Sequence, residues 1–214
     1  MNRKLSLLKC LSLAALLCSA AAARADITVY TNQAAFLAAT TAQGVDTFDD
    51  LEVMSYASPL QRSAGAYTYR ASSGPVSDLL FGAGVPGDHW LSNNVRSDSI
   101  TFSNFCGCVT AVGGNFFGSD ITGAFIPGAN MILTASDGTT TTTAYLNDTT
   151  LTSFLGFVST TPLSSVVLTS GGLYWVTANN LTLAMAAPVP EPASYGMLLA
   201  GLCLLGGLAV RRAG

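Results

Sequence analysis

Asn130-Met-Ile-Leu-Thr-Ala-Ser-Asp-Gly-Thr-Thr-Thr-Thr-Thr-Ala-Tyr-Leu146 is the stretch on which the fold class turns. Its two flanks, 130–135 and 139–146, are joined at Ser136-Asp137-Gly138, and Asp-Gly between such flanks is hairpin chemistry. The threonine run is read as a strand and not as disorder, because threonine packs well on a pleated surface and hydrophobic strands bracket it. Working outward, Ile100 and Phe102 alternate with polar neighbours, and further β-type runs follow at 109–117, 154–158, 165–169, 173–176 and 181–184. Strands at roughly ten-residue spacing with almost no helical period predict an all-β chain folded as an antiparallel β-sandwich.

Upstream the pattern is mixed. Ile27–Tyr30 is a short β-type run, and Asn32–Thr40 predicts one short N-terminal helix, with Thr31 or Asn32 as its cap and Phe36, Ala35 and Ala39 as its apolar stripe. A further β-type stretch, Val45–Leu51, holds Phe48-Asp49-Asp50. Between 52 and 98 only Ala66–Ala71 alternates clearly. Ser72-Ser73-Gly74-Pro75 and Gly82–Gly87 are loop chemistry, so a long irregular region is expected there, and with it any binding loop.

The two ends are of a different kind. Arg3, Lys4 and Lys9, the apolar 11–22 run and Ala23-Arg24-Ala25 read as a secretory signal peptide, cleaved by signal peptidase before Asp26. At the other end Val189-Pro190-Glu191-Pro192 leads into the uncharged run Ala193–Val210, closed by Arg211 and Arg212. At about 1.5 Å per residue that run makes roughly 27 Å of helix, enough to span a bilayer, and the arginine pair favours a cytoplasmic tail. The expected organisation is therefore a signal peptide at 1–25, a sandwich domain at 26–187, and a segment with a C-terminal transmembrane helix at 188–214.

Val-Pro-Glu-Pro, a glycine- and leucine-rich span and a terminal arginine pair resemble the PEP-CTERM sorting signal of Gram-negative bacteria that make exopolysaccharide. The resemblance implies an exosortase as processing partner. It also implies export, with transient residence in the inner membrane and a destination at the cell surface or outside the cell. A Phe-Asp-Asp run early in the mature chain is similar to many proteins with this tail. Val109–Phe117, the Asp-Gly hairpin, Phe154–Phe157 and the strand after Asn179-Asn180 resemble a jelly-roll module found in such proteins. Similar sandwiches include carbohydrate-binding and lectin-like domains. The function this implies is a non-enzymatic matrix or biofilm component associated with exopolysaccharide. The alternative is a lectin-like carbohydrate-binding module, with a secreted hydrolase a distant third.

Charge and residue inventory narrow the chemistry. From Asp26 to Ala187 only Arg62, Arg70 and Arg96 stand against eleven acidic residues, which argues against a surface for nucleic acid or another polyanion. His89 is the sole histidine, in Gly87-Asp88-His89-Trp90, and no Gly-x-Ser-x-Gly motif accompanies it, so no catalytic residue is assigned and the histidine is read as an exposed loop residue. Glycosidase chemistry lacks a convergent carboxyl pair. No cofactor is expected, save a structural Ca²⁺ whose hard oxygen ligands would come from Asp46, Asp49 or Asp50. Related modules show Asp-Asn where this chain has Asn179-Asn180, which weakens that expectation. Cys106 and Cys108 flank Gly107. In the oxidising setting of a secreted protein they are candidates for a disulfide if Gly107 turns, with free thiols or intermolecular pairing as alternatives. Trp90, beside Asp88 in a glycine-rich loop, is the expected exposed aromatic for stacking on sugar, and Trp175 the expected core member.

Overall fold

Period-two patterning closes into two facing antiparallel sheets. The computed structural model describes residues 26–188. The expected signal peptide with Ala23 and Ala25, the motif Val189–Pro192, the transmembrane helix and the arginine pair lie outside the described residues. Among the described residues no helix is long and apolar enough to cross a membrane.

In chain order the first strands are β1 (Ile27–Tyr30), β2 (Thr40–Asp46), β3 (Ser55–Ala57), β4 (Leu60–Ala64), β5 (Tyr67–Gly74), β6 (Leu79–Val85), β7 (Asp88–Asn93) and β8 (Ser99–Ser103). Then come β9 (Ala111–Ser119), β10 (Phe125–Ile126), β11 (Ala129–Ser136), β12 (Thr141–Thr149), β13 (Phe154–Ser159), β14 (Ser165–Thr169) and β15 (Trp175–Ala186). One sheet runs β1-β13-β9-β15-β7-β6-β3, with β10 paired to β9 and β2 to β15. The other runs β12-β11-β14-β8-β5-β4.

The two sheets differ in how their sequences alternate, and burial explains it. In the second sheet Met131, Leu133 and Ala135 of β11, Ile100 and Phe102 of β8, and Tyr67, Tyr69 and Ala71 of β5 are buried, while their neighbours are more exposed. One face packs on the core and the other meets solvent. In the first sheet every residue of β9 is buried, because both faces are covered. The inner face meets the second sheet. Outside, helix α1 (Gln33–Ala38) lays Phe36 on the sheet, and farther along the loop after β9 lies over Trp90 and Phe117.

Helix α1 starts where its cap chemistry dictates: the Asn32 Oδ1 accepts the Ala35 N–H at 2.9 Å. It lies flat because Gly156 beneath it has no side chain. A Cβ there would stand 2.5 Å from the Phe36 ring.

Three readings need correction. Val45–Leu51 is not a strand: β2 ends at Asp46, and Phe48, at φ 62°, turns the chain. Residues 52–98 are not one irregular region but hold β3 to β7, with Asp88, His89 and Trp90 opening β7. The run 173–176 is not a strand of its own: 175–176 and 181–184 belong to one strand, β15, bulged between Asn179 and Thr182 with Asn180 at φ 50°.

Candidate functional site

The densest polar constellation joins the two sheets at one edge, where β2 meets β4 and β5. Asp46 ends β2 with its carboxylate buried. Its Oδ1 accepts Arg62 Nη2 at 2.6 Å and the Phe48 amide at 3.0 Å, and its Oδ2 accepts Arg62 Nε at 2.9 Å and the Tyr69 hydroxyl at 2.7 Å. Asp50 takes the rest of the guanidinium, at 2.8 Å from Nη1 and 2.6 Å from Nη2. The Phe48 ring lies 5.2 Å from Arg62 Cζ. Burial opposes the charge on Arg62, but its hydrogen bonds to Asp50 and Asp46 and the Asp46 charge more than offset that and raise its pKa. Burial, then the Asp46 charge, push Tyr69 well above its ordinary value, so its hydroxyl stays a donor. Hydrogen bonding from Arg62 holds Asp50 below the ordinary carboxylate value. An open cleft of about 380 Å³ lies over this cluster. Every strong donor and acceptor in it is already paired inside the protein, which is the arrangement of a structural clamp.

The calcium ligands proposed from sequence are thereby dispersed. A guanidinium stands where Asp46 and Asp50 converge. Asp49 points elsewhere, its Oδ1 accepting the His89 amide at 3.0 Å, a bond that with the Thr47 side chain lowers its pKa. No group of three or more His, Cys, Asp and Glu side chains that could hold a metal occurs among the described residues. His89 is half-buried in β7 with Nδ1 3.3 Å from the Asp49 carbonyl oxygen, so it is not the exposed loop residue expected.

The two tryptophans exchange places. Trp90, expected to be exposed for sugar, is 2% exposed. Its Nε1–H donates to the Gly123 carbonyl at 3.0 Å, and its ring meets Phe117 edge-on at 5.4 Å. Its neighbour Asp88 does stay at the surface, where its Oδ1 accepts Asn179 Nδ2 at 2.9 Å. Trp175, expected in the core, is half-buried at the rim, with Nε1–H on the Asn94 carbonyl at 3.2 Å. It lines a cleft of about 190 Å³ with Phe81, Asn93, Asn94, Asp120 and Ile121. Ile121 is 76% exposed. Sequence reading missed this group, although the period of two carried the signal: Val176 faces the core, so Trp175 before it must face outward.

Cys106 and Cys108 occupy a turn between β8 and β9, closed by the Val109 amide donating to the Cys106 carbonyl at 3.0 Å. Both are free thiols, Cys106 half-buried and Cys108 exposed, with their Sγ atoms 2.6 Å apart. The hydrogen bond shared with Cys106 holds the Cys108 pKa above its ordinary value.

The described chain begins and ends beside one cleft of about 580 Å³, lined by Asp26, Tyr30, Ala39, Val158 and Pro188 among others. The Asp26 amide donates to Thr160 Oγ1 and the Thr160 amide to the Asp26 carbonyl, both at 3.1 Å, while the Ala187 amide donates to the Ala39 carbonyl at 2.8 Å. Both ends are thus tied down at the same rim. Comparison with solved structures finds TmCBM61 in complex with β-1,4-galactotriose, at 13% identity over 55% of this chain and 88% of that one, with a TM-score of 0.31, a likeness too low to imply fold or ligand. No curated protein matches the chain. Residues 188–213 match the family model of the PEP-CTERM protein-sorting motif, which begins two residues after β15 ends and implies processing by an exosortase and export to the cell envelope or surface, so the chain is a carrier of the PEP-CTERM sorting signal.

Proposed function

We propose that the chain is a non-enzymatic surface or matrix protein, anchored briefly in the inner membrane, released by exosortase cleavage near Pro192 and associated outside the cell with exopolysaccharide. The observation that carries this reading is the sorting motif at 188–213, which joins directly onto a folded β-sandwich. In keeping with a non-enzymatic role, the convergent carboxyls Asp46 and Asp50 share one guanidinium and so are not free for acid and base roles. A tag after Arg212 tests the reading. Mature surface protein should lack it, and replacing Pro190-Glu191-Pro192 with alanines should strand full-length protein in the inner membrane. A tag retained at the surface, or no effect of the triple substitution, would leave a plain anchor instead.

A second reading, a sugar-binding module, is favoured by the Trp175 cleft. A half-buried indole beside Asn94 and Asp120 combines a stacking face with polar groups for hydroxyls. The cleft is smaller than the usual pocket of about 300–1,000 Å³, so it would take one ring of a polymer lying across the rim. Titrating purified exopolysaccharide fractions should quench tryptophan fluorescence saturably, and Trp175→Phe should abolish that quenching while Trp90→Phe does not. Absence of any saturable change removes this reading.

A further inference from the structure

The Cys106-Gly107-Cys108 turn is unusual in what it brings together. It turns the two thiol sulfurs toward each other, within hydrogen-bond contact. The turn holds them there, with Val109 bonded back to Cys106 and the strands β8 and β9 anchored on either side. Cys106 rests against the core while Cys108 faces solvent. A bridge across one intervening residue closes almost no loop, and the stabilisation from a disulfide grows with loop length, so a bridge here does little for the fold. Thiols that are paired, reachable and structurally dispensable are suited to exchange, and because the contact with Cys106 holds Cys108 above its ordinary value, that exchange should quicken as pH rises.

We propose that Cys106 and Cys108 form a thiol–disulfide exchange site, in which Cys108 reacts with partners and Cys106 resolves. The reaction partner is a disulfide of the oxidising compartment outside the cytoplasm, written RSSR. The Cys108 thiolate attacks one sulfur of RSSR, forming Cys108–S–S–R and releasing RS⁻, which takes up the proton that Cys108 lost. The Cys106 thiolate then attacks Cys108 Sγ, forms the Cys106–Cys108 bond and displaces the second RS⁻, which takes the Cys106 proton. Two electrons and two protons pass to RSSR, giving two RSH and one oxidised protein. In the reverse direction the pair oxidises dithiols on neighbouring molecules. Cys108 is the entry point because its sulfur is the exposed one, and the neighbouring sulfur is placed to resolve the mixed disulfide before a second molecule arrives.

Oxidised glutathione is the probe. The reduced protein is incubated with it, quenched with N-ethylmaleimide, and the fragment containing 106–108 is weighed, with circular dichroism confirming that each variant keeps the β spectrum. Wild type should lose two hydrogens and take neither maleimide nor glutathione at these positions. Cys106→Ser should stop at a glutathione adduct on Cys108, and Cys108→Ser should react at least tenfold more slowly. Two maleimides on the wild-type fragment after oxidation, equal reaction rates of the two serine variants, or disulfide-linked dimers as the main wild-type product would each overturn the proposal.

Discussion

Replacing Arg62 with methionine would leave the Asp46 carboxylate, its side chain 3% exposed, with only the Tyr69 hydroxyl and the Phe48 amide for partners. Breaking one side of a buried pair costs about 3–5 kcal/mol, and that loss should appear as a lower urea midpoint at pH 7. Arg62→Lys should recover only part of it, since a lysine ammonium has no planar fork to reach Asp46 and Asp50 together. Acid should act on the exposed side of the same cluster. Asp50 titrates below its ordinary 3.8 when folded, as does Asp49, so the unfolded chain takes up these protons first as pH falls. Their contribution is fully present above the ordinary value and is lost as pH drops from there through the folded values. The part from Asp50 is small, because its side chain is 70% exposed and the pair is screened. Urea midpoints measured from pH 7 down to 2 should fall in the acid range, and a midpoint that rose there would contradict the assignment.

Among the elements, helix α1 offers the sharpest test. Phe36 is fully buried against Ala111, Phe154 and Ala184, so Phe36→Ala should cost about 3–5 kcal/mol in urea melts. Gly156→Ala should also destabilise, because the added methyl meets the Phe36 ring. Combined with Phe36→Ala it should cost less than the sum, since the methyl then enters the space the ring vacated. Elements whose pattern is local were legible in the sequence. The hairpin read at 130–146 is β11 and β12, β14 spans the residues read for it, and Asn32 caps the helix. Region 52–98 was not legible because some of its glycines serve another purpose than turning. Gly82 lies inside β6, where a Cβ would stand 2.3 Å from the Glu52 carbonyl oxygen, so the residue permits two chains to touch. Likewise Arg62 could not be paired with Asp46 and Tyr69 from spacing, since only the meeting of two sheets brings them together. Trp90 was misplaced for a related reason: the glycines around it suggested a loop, and the 120–124 segment that covers it lies far along the chain.

At the scale of the molecule, both ends of the domain lie at one rim, and a single residue separates β15 from the sorting motif. Strand β15 itself is interior to its sheet, flanked by β9 on one side and by β7 and β2 on the other. A chain stopped before Trp175 should therefore lack the β spectrum and be cleaved rapidly by protease, whereas one stopped at Pro188 should keep the spectrum and resist. Proteins are made from the amino terminus forward, and here the keystone of the larger sheet is laid last. Through nearly all of its synthesis the domain stays open, with β7 and β9 waiting for a strand that does not yet exist. Ala186 completes the sheet, and the next residues to emerge carry the address. Order of synthesis thus puts the label after the last strand: by the time it can be read, the cargo has everything it needs to close.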